Sequence, residues 1–408
     1  MTSSSPTFPT PPVSPVSPLS SASPADILGR PNASIATETA DPLTSLPKAE
    51  LHLHIEGTLE PDLALELGRR NSVALPWTDL ATLRRQYQFD DLQSFLDLYY
   101  QLMAVLRTAD DFRDLMLAYL ERASHDGVLH SEIFFDPQVH MGNGLSIDTV
   151  MDGLLEGMRL GRERWGITSS LILCIVRDLP VESAELTLDA VEHRVEDLVG
   201  IGLDSAEVGY PPSLFTGVFD RAGRMGLHRV AHAGEEGPAG YVSQALDLLH
   251  VERIDHGVHS ADDAGVVRRL AADDIPLTMC PLSNTRLHVA SSVRDLPIAA
   301  LLDAGVKVTL NSDDPAYFGG YIADNYRALE RDAGIALKDL ATMARNSIEA
   351  SFVDEDERRR MLAMHDAWLR LRLHDDDEGK AKVAGMKGTD ADGTNTEGTD
   401  AEGTNTGA

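Results

Sequence analysis

The chain has 408 residues, 43% of them hydrophobic, enough to bury a full core in one large domain or in two to three small ones. A formal net charge of -30 argues against a nucleic-acid-binding surface and makes a neutral or cationic small molecule an easier partner than a phosphorylated one. Cys174 and Cys280 lack CxxC spacing, so neither a disulfide framework nor a cysteine-based zinc site is supported. No apolar run approaches the ~20 residues of a membrane span and no basic-then-apolar leader opens the chain, which leads us to expect a cytoplasmic protein without a membrane partner.

Residues 1–46 are rich in Ser, Pro and Thr, bury too little to offset ordering entropy, and are expected to be a disordered tail. From 47 to 374, apolar β-branched runs alternate with helical spacing. The first strand is expected at 49–54 and the first helix at 60–70. The stretch 76–123 is too long for one crossover helix and is expected to hold several. Strands at 129–135 and 169–176 flank a helix at 148–162. Further strands follow at 198–203, 228–231, 252–255, 276–280 and 306–310, with helices at 213–225, 242–250, 261–271 and 296–304. Eight strands alternating with helices predict an α/β fold, a (β/α)8 TIM-type barrel with extra helices after the first strand. Residues 375–408 are expected to be a disordered acidic tail. Its Gly-Thr-Asp/Asn repeat lacks the apolar position that a calcium-binding array needs to stack.

Five stretches concentrate His, Asp, Glu and Asn: His52-Leu53-His54, His232-Ala233-Gly234-Glu235, Asp255-His256-Gly257, Asn284, and Asn311-Ser312-Asp313-Asp314-Pro315. They fall at the ends of expected strands one, five, six, seven and eight, the end of a barrel where catalytic groups sit. Residues two apart in a strand share a face, about 6.6 Å apart, so His52 and His54 can aim at one ion. With His232 and Asp313 they make a nitrogen-plus-carboxylate set that suits zinc, or else iron or manganese. Adjacent Asp313 and Asp314 repel unless a cation or a donor intervenes. One on a metal and the other turned to a substrate N–H resolves that repulsion. Glu235, three residues past His232, suits a general acid/base. His256 is placed to handle the water that the metal activates. Glu236 and the Asp-Asp pairs at 110, 262 and 273 are read as solvated, and His140, His228, His250, His259 and His288 as surface or satisfied core residues.

Leu51-His-Leu-His-Ile-Glu-Gly-Thr, His232-Ala-Gly-Glu, Asp255-His-Gly and Asn311-Ser-Asp-Asp-Pro resemble the adenosine/adenine deaminases of the amidohydrolase superfamily, over about 48–352. The resemblance implies one zinc ion per subunit on His52, His54, His232 and Asp313. It implies that Glu235 protonates N1 of the purine, that His256 orients or deprotonates the attacking water, and that Asp314 contacts the base at N7. The cytidine-deaminase signature H-x-E…P-C-x-x-C is absent.

Within the family, Glu132-Ile-Phe-Phe-Asp-Pro-Gln, Gly202-Leu-Asp-Ser-Ala-Glu, Cys280-Pro-Leu-Ser-Asn and Asp314-Pro-Ala-Tyr-Phe-Gly-Gly-Tyr are closer to the adenine branch. The adenosine branch carries Gly-Asp-Glu after strand four, where this chain has Asp204-Ser205-Ala206-Glu207. The implied reaction is hydrolytic deamination of adenine to hypoxanthine and ammonia, in purine salvage. The alternatives are adenosine or an N6-substituted adenine as substrate, or a non-catalytic purine-binding barrel. Free adenine offers an N9–H donor where adenosine carries ribose. A buried acceptor there would favour the base, since leaving it unpaired costs roughly 1–3 kcal/mol. Asp136, Ser205 and Glu207 are the candidate acceptors, and Asn284 a further candidate contact. The expected partner is a small purine base; the sequence does not assign an oligomeric state.

Overall fold

The computed structural model describes the backbone of residues 41–387 and the side chains of 41–372. Eight parallel strands follow one another around a single sheet in chain order: β1 Lys48–His54, β2 Val128–Phe135, β3 Thr168–Val176, β4 Leu198–Asp204, β5 His228–Ala233, β6 Arg253–His256, β7 Leu277–Met279 and β8 Val308–Leu310. Beyond the end of β8 the chain meets β1. The backbone N–H of His54 donates to the Asp313 carbonyl at 3.1 Å, and that of Asp313 to the His52 carbonyl at 3.1 Å. The expected (β/α)8 barrel is present, and all eight strands lie where the sequence placed them.

β1 is buried along its whole length, as expected of a parallel strand covered on both faces. Its alternation is not simple, because the register against β2 shifts between Glu50 and Leu53. Glu50 accepts from the Tyr119 hydroxyl on the helix Ala109–His125 at 2.7 Å and from the Ser312 amide at 3.2 Å. His52 and His54 both face the Phe134 ring, at centroid distances of 5.1 and 5.0 Å. His52 and His54, two residues apart, thus share a face, while Glu50 ties β1 to the loop after β8.

The barrel interior is layered. Glu132 on β2 and Arg253 on β6 form an ion pair between strands that are not neighbours, so it spans the interior. Phe134, Ile172, Cys174 and Val230 form an apolar cluster separate from the main core. His52, His54 and His232 sit against Phe134 on its far side. Polar groups at both ends and a dry layer between them leave the upper end free for chemistry.

The stretch after β1 holds Pro61–Arg70, Leu80–Arg84, Leu92–Met103 and Ala109–His125, the expected set of extra helices. The last two open with capping boxes at Asp91 and Thr108. The helix expected at 213–225 is a 3-10 turn, Pro212–Phe215, followed by Thr216–Arg224. That expected at 242–250 begins at Ala239 and ends in a π turn, Ala245–Leu249, closed by His250 at φ 54°. Helices Val181–Val191 and Leu337–Glu349 were not anticipated; both place their buried side chains on one stripe.

Both tail boundaries move. Asp41 caps a short helix, Pro42–Ser45, and Leu43 and Leu46 are fully buried, so order begins before residue 47. At the other end the helix Glu355–Lys387 runs past 375, because adding a residue to an existing helix is cheap once its nucleus has formed. Residues 1–40 and 388–408, where the rest of both expected tails falls, lie outside the described residues. No helix among the described residues is long and apolar enough to cross a membrane.

Candidate active site

The strand ends bring together residues 261 positions apart in sequence. His52 and His54 come from β1, His232 from β5 and Asp313 from the turn after β8. Their donor atoms all lie within 4.8 Å of one another, and all four residues are buried. His52 Nε2 is 3.2 Å and His54 Nε2 3.5 Å from Asp313 Oδ1, and His54 Nε2 is 3.3 Å from His232 Nε2.

This set fits a divalent transition metal. His52 Nε2 is buried without a hydrogen-bond partner. Burial and neighbouring imidazoles hold the His232 pKa well below the usual histidine value. Burial, above all, lowers His54 to about 4, so both rings are neutral, as ligands must be. His52 behaves differently: burial would lower it, but the carboxylates of Asp313 and Asp255 raise it. A cation between His52 and Asp313 would satisfy both. Polar groups lie behind the outer nitrogens as well. His52 Nδ1 meets the Thr278 hydroxyl at 3.0 Å, and that hydroxyl donates to Asp255 at 2.7 Å. His232 Nδ1 is 3.6 Å from the other Asp255 oxygen and His54 Nδ1 3.6 Å from Asp204. Only the His52 ring is held by a hydrogen bond from behind; the carboxylates beside His232 and His54 lie within charge-interaction range of rings that could bind a metal. A second arrangement of donors, His52, His256, Cys280 and Asp313, is also compact, but burial pushes the Cys280 thiol well up, away from the thiolate a metal needs.

Two of these positions are strained. Asp313 has φ 64° and His256 φ 59°, left-handed values that non-glycine residues seldom adopt and that cluster at functional sites.

Glu235 and His256, the expected acid/base residues, adjoin the cluster. His256 Nε2 is 3.5 Å from Glu235 Oε1 and 3.6 Å from Asp313 Oδ2. Burial first, then the charges of Asp313 and Glu207, raises the Glu235 carboxyl well above the usual range, so it carries a proton. Burial lowers His256 to about 3, so its ring is neutral. The Asn284 amide nitrogen lies 3.0 Å from His256 Nδ1; with Nδ1 accepting there, Nε2 carries the proton. Asp314 is raised well above the usual range by burial and by Asp313, the repulsion expected of adjacent carboxylates, while the surrounding imidazoles hold Asp313 low.

The pocket above these groups is lined by Leu92, Phe95, Leu96, Tyr99 and Tyr100 from the inserted helix and by Phe318 from the loop after β8. Asp136, Asp204 and Ser205 line it as well. Burial raises both Asp136 and Asp204; the charge of Asp204 raises Asp136 further, whereas the hydrogen bond from Asp136 tempers the rise of Asp204, which reaches about 7. Ser205, at φ 70°, bonds the Tyr100 hydroxyl at 2.8 Å.

Two of the expected contacts do not fall in the wall. Asn284 is buried behind His256 and serves that ring. Glu207 is buried and its carboxylate is occupied by four backbone amides, so it has no acceptor to spare for a substrate. Asp204, Asp255, Thr278 and Glu56 were missed. Asp255 had been visible only as the neighbour of His256. Glu56, within the Ile-Glu-Gly-Thr motif, accepts from His140 at 2.7 Å and the Asp136 amide at 3.2 Å, which ties His140 into the core through one of its two ring nitrogens.

The family model described as "Adenosine deaminase" matches residues 47–368. The adenine deaminase of Streptomyces coelicolor is 54% identical over 330 residues, 80% of this chain and 97% of that protein. The adenine deaminase of Sphingopyxis alaskensis is 51% identical over 331 residues, 81% of this chain and 97% of that one. The crystal structure of adenine deaminase from Arthrobacter aurescens superposes with a TM-score of 0.78 at 48% identity, covering 79% of this chain and 99% of that chain. An amidohydrolase from Burkholderia ambifaria with bound Zn superposes with a TM-score of 0.74 at 27% identity, covering 84% and 97%. This chain belongs to the adenosine deaminase family.

Proposed function

We propose that this protein hydrolyses adenine to hypoxanthine and ammonia, a reaction of purine salvage, with one zinc ion per subunit on His52, His54, His232 and Asp313. The observation that carries the reading is the placement of Glu235, His256 and Asp314 around the four donors in one buried pocket. The relatives named adenine deaminase support the base as substrate, and the zinc-containing amidohydrolase supports the choice of metal.

A zinc ion so held supplies Lewis acidity where the attacking water binds. Glu235 donates its proton to N1, which makes C6 electrophilic. His256 Nε2 orients the incoming water. As the water oxygen bonds to C6, one water proton returns to the Glu235 carboxylate. The hydroxyl proton of the tetrahedral carbon then passes to the amino group, the C6–N bond breaks, and ammonia leaves behind a C6 carbonyl and an N1–H. Asp314, kept neutral by burial and Asp313, donates a hydrogen bond to N7, as a carboxyl held protonated can. Asp136, with Asp204 beside it, accepts from N9–H and Ser205 lies next to them, so a ribose at N9 would leave that acceptor unpaired.

The test is the ultraviolet change on loss of the 6-amino group, with adenine, adenosine and N6-substituted adenines offered to the metal-loaded protein. Adenine is expected to be turned over fastest. Faster turnover of adenosine would overturn the substrate assignment, and no turnover of any 6-aminopurine would overturn the enzymatic reading.

A further inference from the structure

Four consecutive backbone N–H groups, those of Gly234, Glu235, Glu236 and Gly237, converge on one buried carboxylate. Glu207 Oε1 accepts from Gly234 at 2.7 Å, and Oε2 from Glu235 at 2.9 Å, Glu236 at 3.0 Å and Gly237 at 2.9 Å. Successive amides turned inward make a concave anion site of the kind that usually holds a phosphate or other ligand anion. Here the occupant comes from the chain itself, 27 residues from the first of those amides. The loop is shaped for it at both ends. Gly234 has φ 72°, the left-handed turn that starts the wrap. A Cβ on Gly237 would lie 2.6 Å from Glu207 Oε1 and 2.7 Å from its Cδ, so only glycine lets the backbone come that close.

The strand before the loop is held from the other side by Arg177, itself fully buried. Its Nη1 donates to the His232 carbonyl at 2.7 Å and its Nε to the Tyr210 carbonyl at 2.9 Å. A buried carboxylate is tolerated when it is hydrogen-bonded and has a nearby cation, and Glu207 has both. Every main-chain polar group from the His232 carbonyl to the Gly237 amide that these two side chains reach is therefore pinned, and Glu235 lies at the centre of the pinned segment.

We propose that Glu207 is a positioning residue for Glu235: it fixes the backbone of the Gly-Glu-Glu-Gly loop so that the Glu235 carboxyl stays at proton-transfer distance from the substrate. The proposal rests on the reading of Glu235 as the proton donor in adenine hydrolysis. Glu207 touches neither substrate nor metal ligand side chains. Replacing it releases the loop, and a displacement of about 1 Å in a catalytic group costs on the order of 10²-fold in rate.

The experiment compares wild type, Glu207→Gln, Glu207→Asp and Leu120→Ala, the last a core truncation in the helix Ala109–His125 remote from the loop. Each is measured for kcat, KM, melting temperature and hydrogen exchange of the peptide covering 233–238. In the wild type those amides are expected to exchange slowly. Glu207→Gln is expected to lose on the order of 10²-fold in kcat with KM changed little and with fast exchange confined to that peptide. Leu120→Ala is expected to melt lower with kcat intact. The proposal is overturned if Glu207→Gln keeps its kcat, or loses it only in step with melting temperature as Leu120→Ala does. Should Glu207→Gln fail to fold, the wild-type exchange and Glu207→Asp decide: unprotected amides, or an unchanged kcat in the shortened side chain, overturn it. A wild type inactive on adenine would remove the activity reading, while the exchange rates still report on the clamp.

Discussion

Gly57 and Asp314 stand so close that a Cβ on Gly57 would lie 2.1 Å from Asp314 Oδ1 and 2.6 Å from its Cα. The turn after β1 thereby becomes the seat on which the turn after β8 rests, and the orientation of the Asp314 carboxyl depends on a hydrogen atom at position 57. Gly57→Ala is expected to push Asp314 out of place. Overpacking of this kind costs typically 1–3 kcal/mol in stability, and the displaced contact is expected to lower kcat/KM for adenine by about 10²-fold. Steady-state kinetics with a thermal melt check it; unchanged kinetics would show that Asp314 does not hold the base.

Glu235→Gln keeps the shape of the side chain and removes its proton. A positioned general acid contributes roughly 10²–10⁴-fold, so kcat is expected to fall by that factor. Metal content, read by elemental analysis, is expected to stay at the wild-type level because Glu235 is not among the four donors. A parallel loss of metal would move Glu235 into the ligand set.

Asp255 sits behind two of the histidines, 3.6 Å from His232 Nδ1 and joined to His52 through Thr278. Asp255→Asn is expected to weaken metal affinity by about 10–100-fold without removing a ligand. A competing chelator measures it. In the wild type, added zinc is expected to raise the melting temperature, since metal at ~100 times its Kd stabilises by about 2.7 kcal/mol. A melt indifferent to zinc and to chelator would sink the metal assignment.

Glu132 is buried against Arg253, and although burial alone would raise its pKa, the guanidinium lowers it to about 2 from 4.5. The folded value is the lower one, so the unfolded chain binds more protons between pH 4.5 and 2. The pair's contribution is fully present above pH 4.5 and is lost as the pH falls towards 2. A shift of this size corresponds to roughly 3 kcal/mol. Glu132→Gln is expected to cost about 3–5 kcal/mol at neutral pH, because it leaves Arg253 buried and unpaired. It is also expected to flatten the acid limb of the stability curve. Chemical denaturation from pH 7 to 3 measures both, and an unchanged acid limb would show that the pair is not what titrates.

The parts of this protein that the sequence alone determined are those written in short-range order. Alternating β-branched runs and helical stripes specified eight strands and the barrel, because each element's period is local. His52, His54, His232, Glu235, His256, Asp313 and Asp314 stood out because their residue types recur at strand ends. Other features were decided only by the tertiary structure. The register shift between Glu50 and Leu53, which breaks the simple alternation of β1, leaves no sign in the local pattern. The helix Leu92–Met103 walls the pocket although nothing in its own pattern says what it will cover. Asp255, Thr278 and Asp204 back the imidazoles from three different strands. Glu207 was read from sequence as a spare acceptor for substrate, yet its carboxylate is filled by the loop that carries Glu235. Whether a buried carboxylate is free or occupied depends on which amides the fold brings to it, and barrel closure, not local spacing, makes that choice.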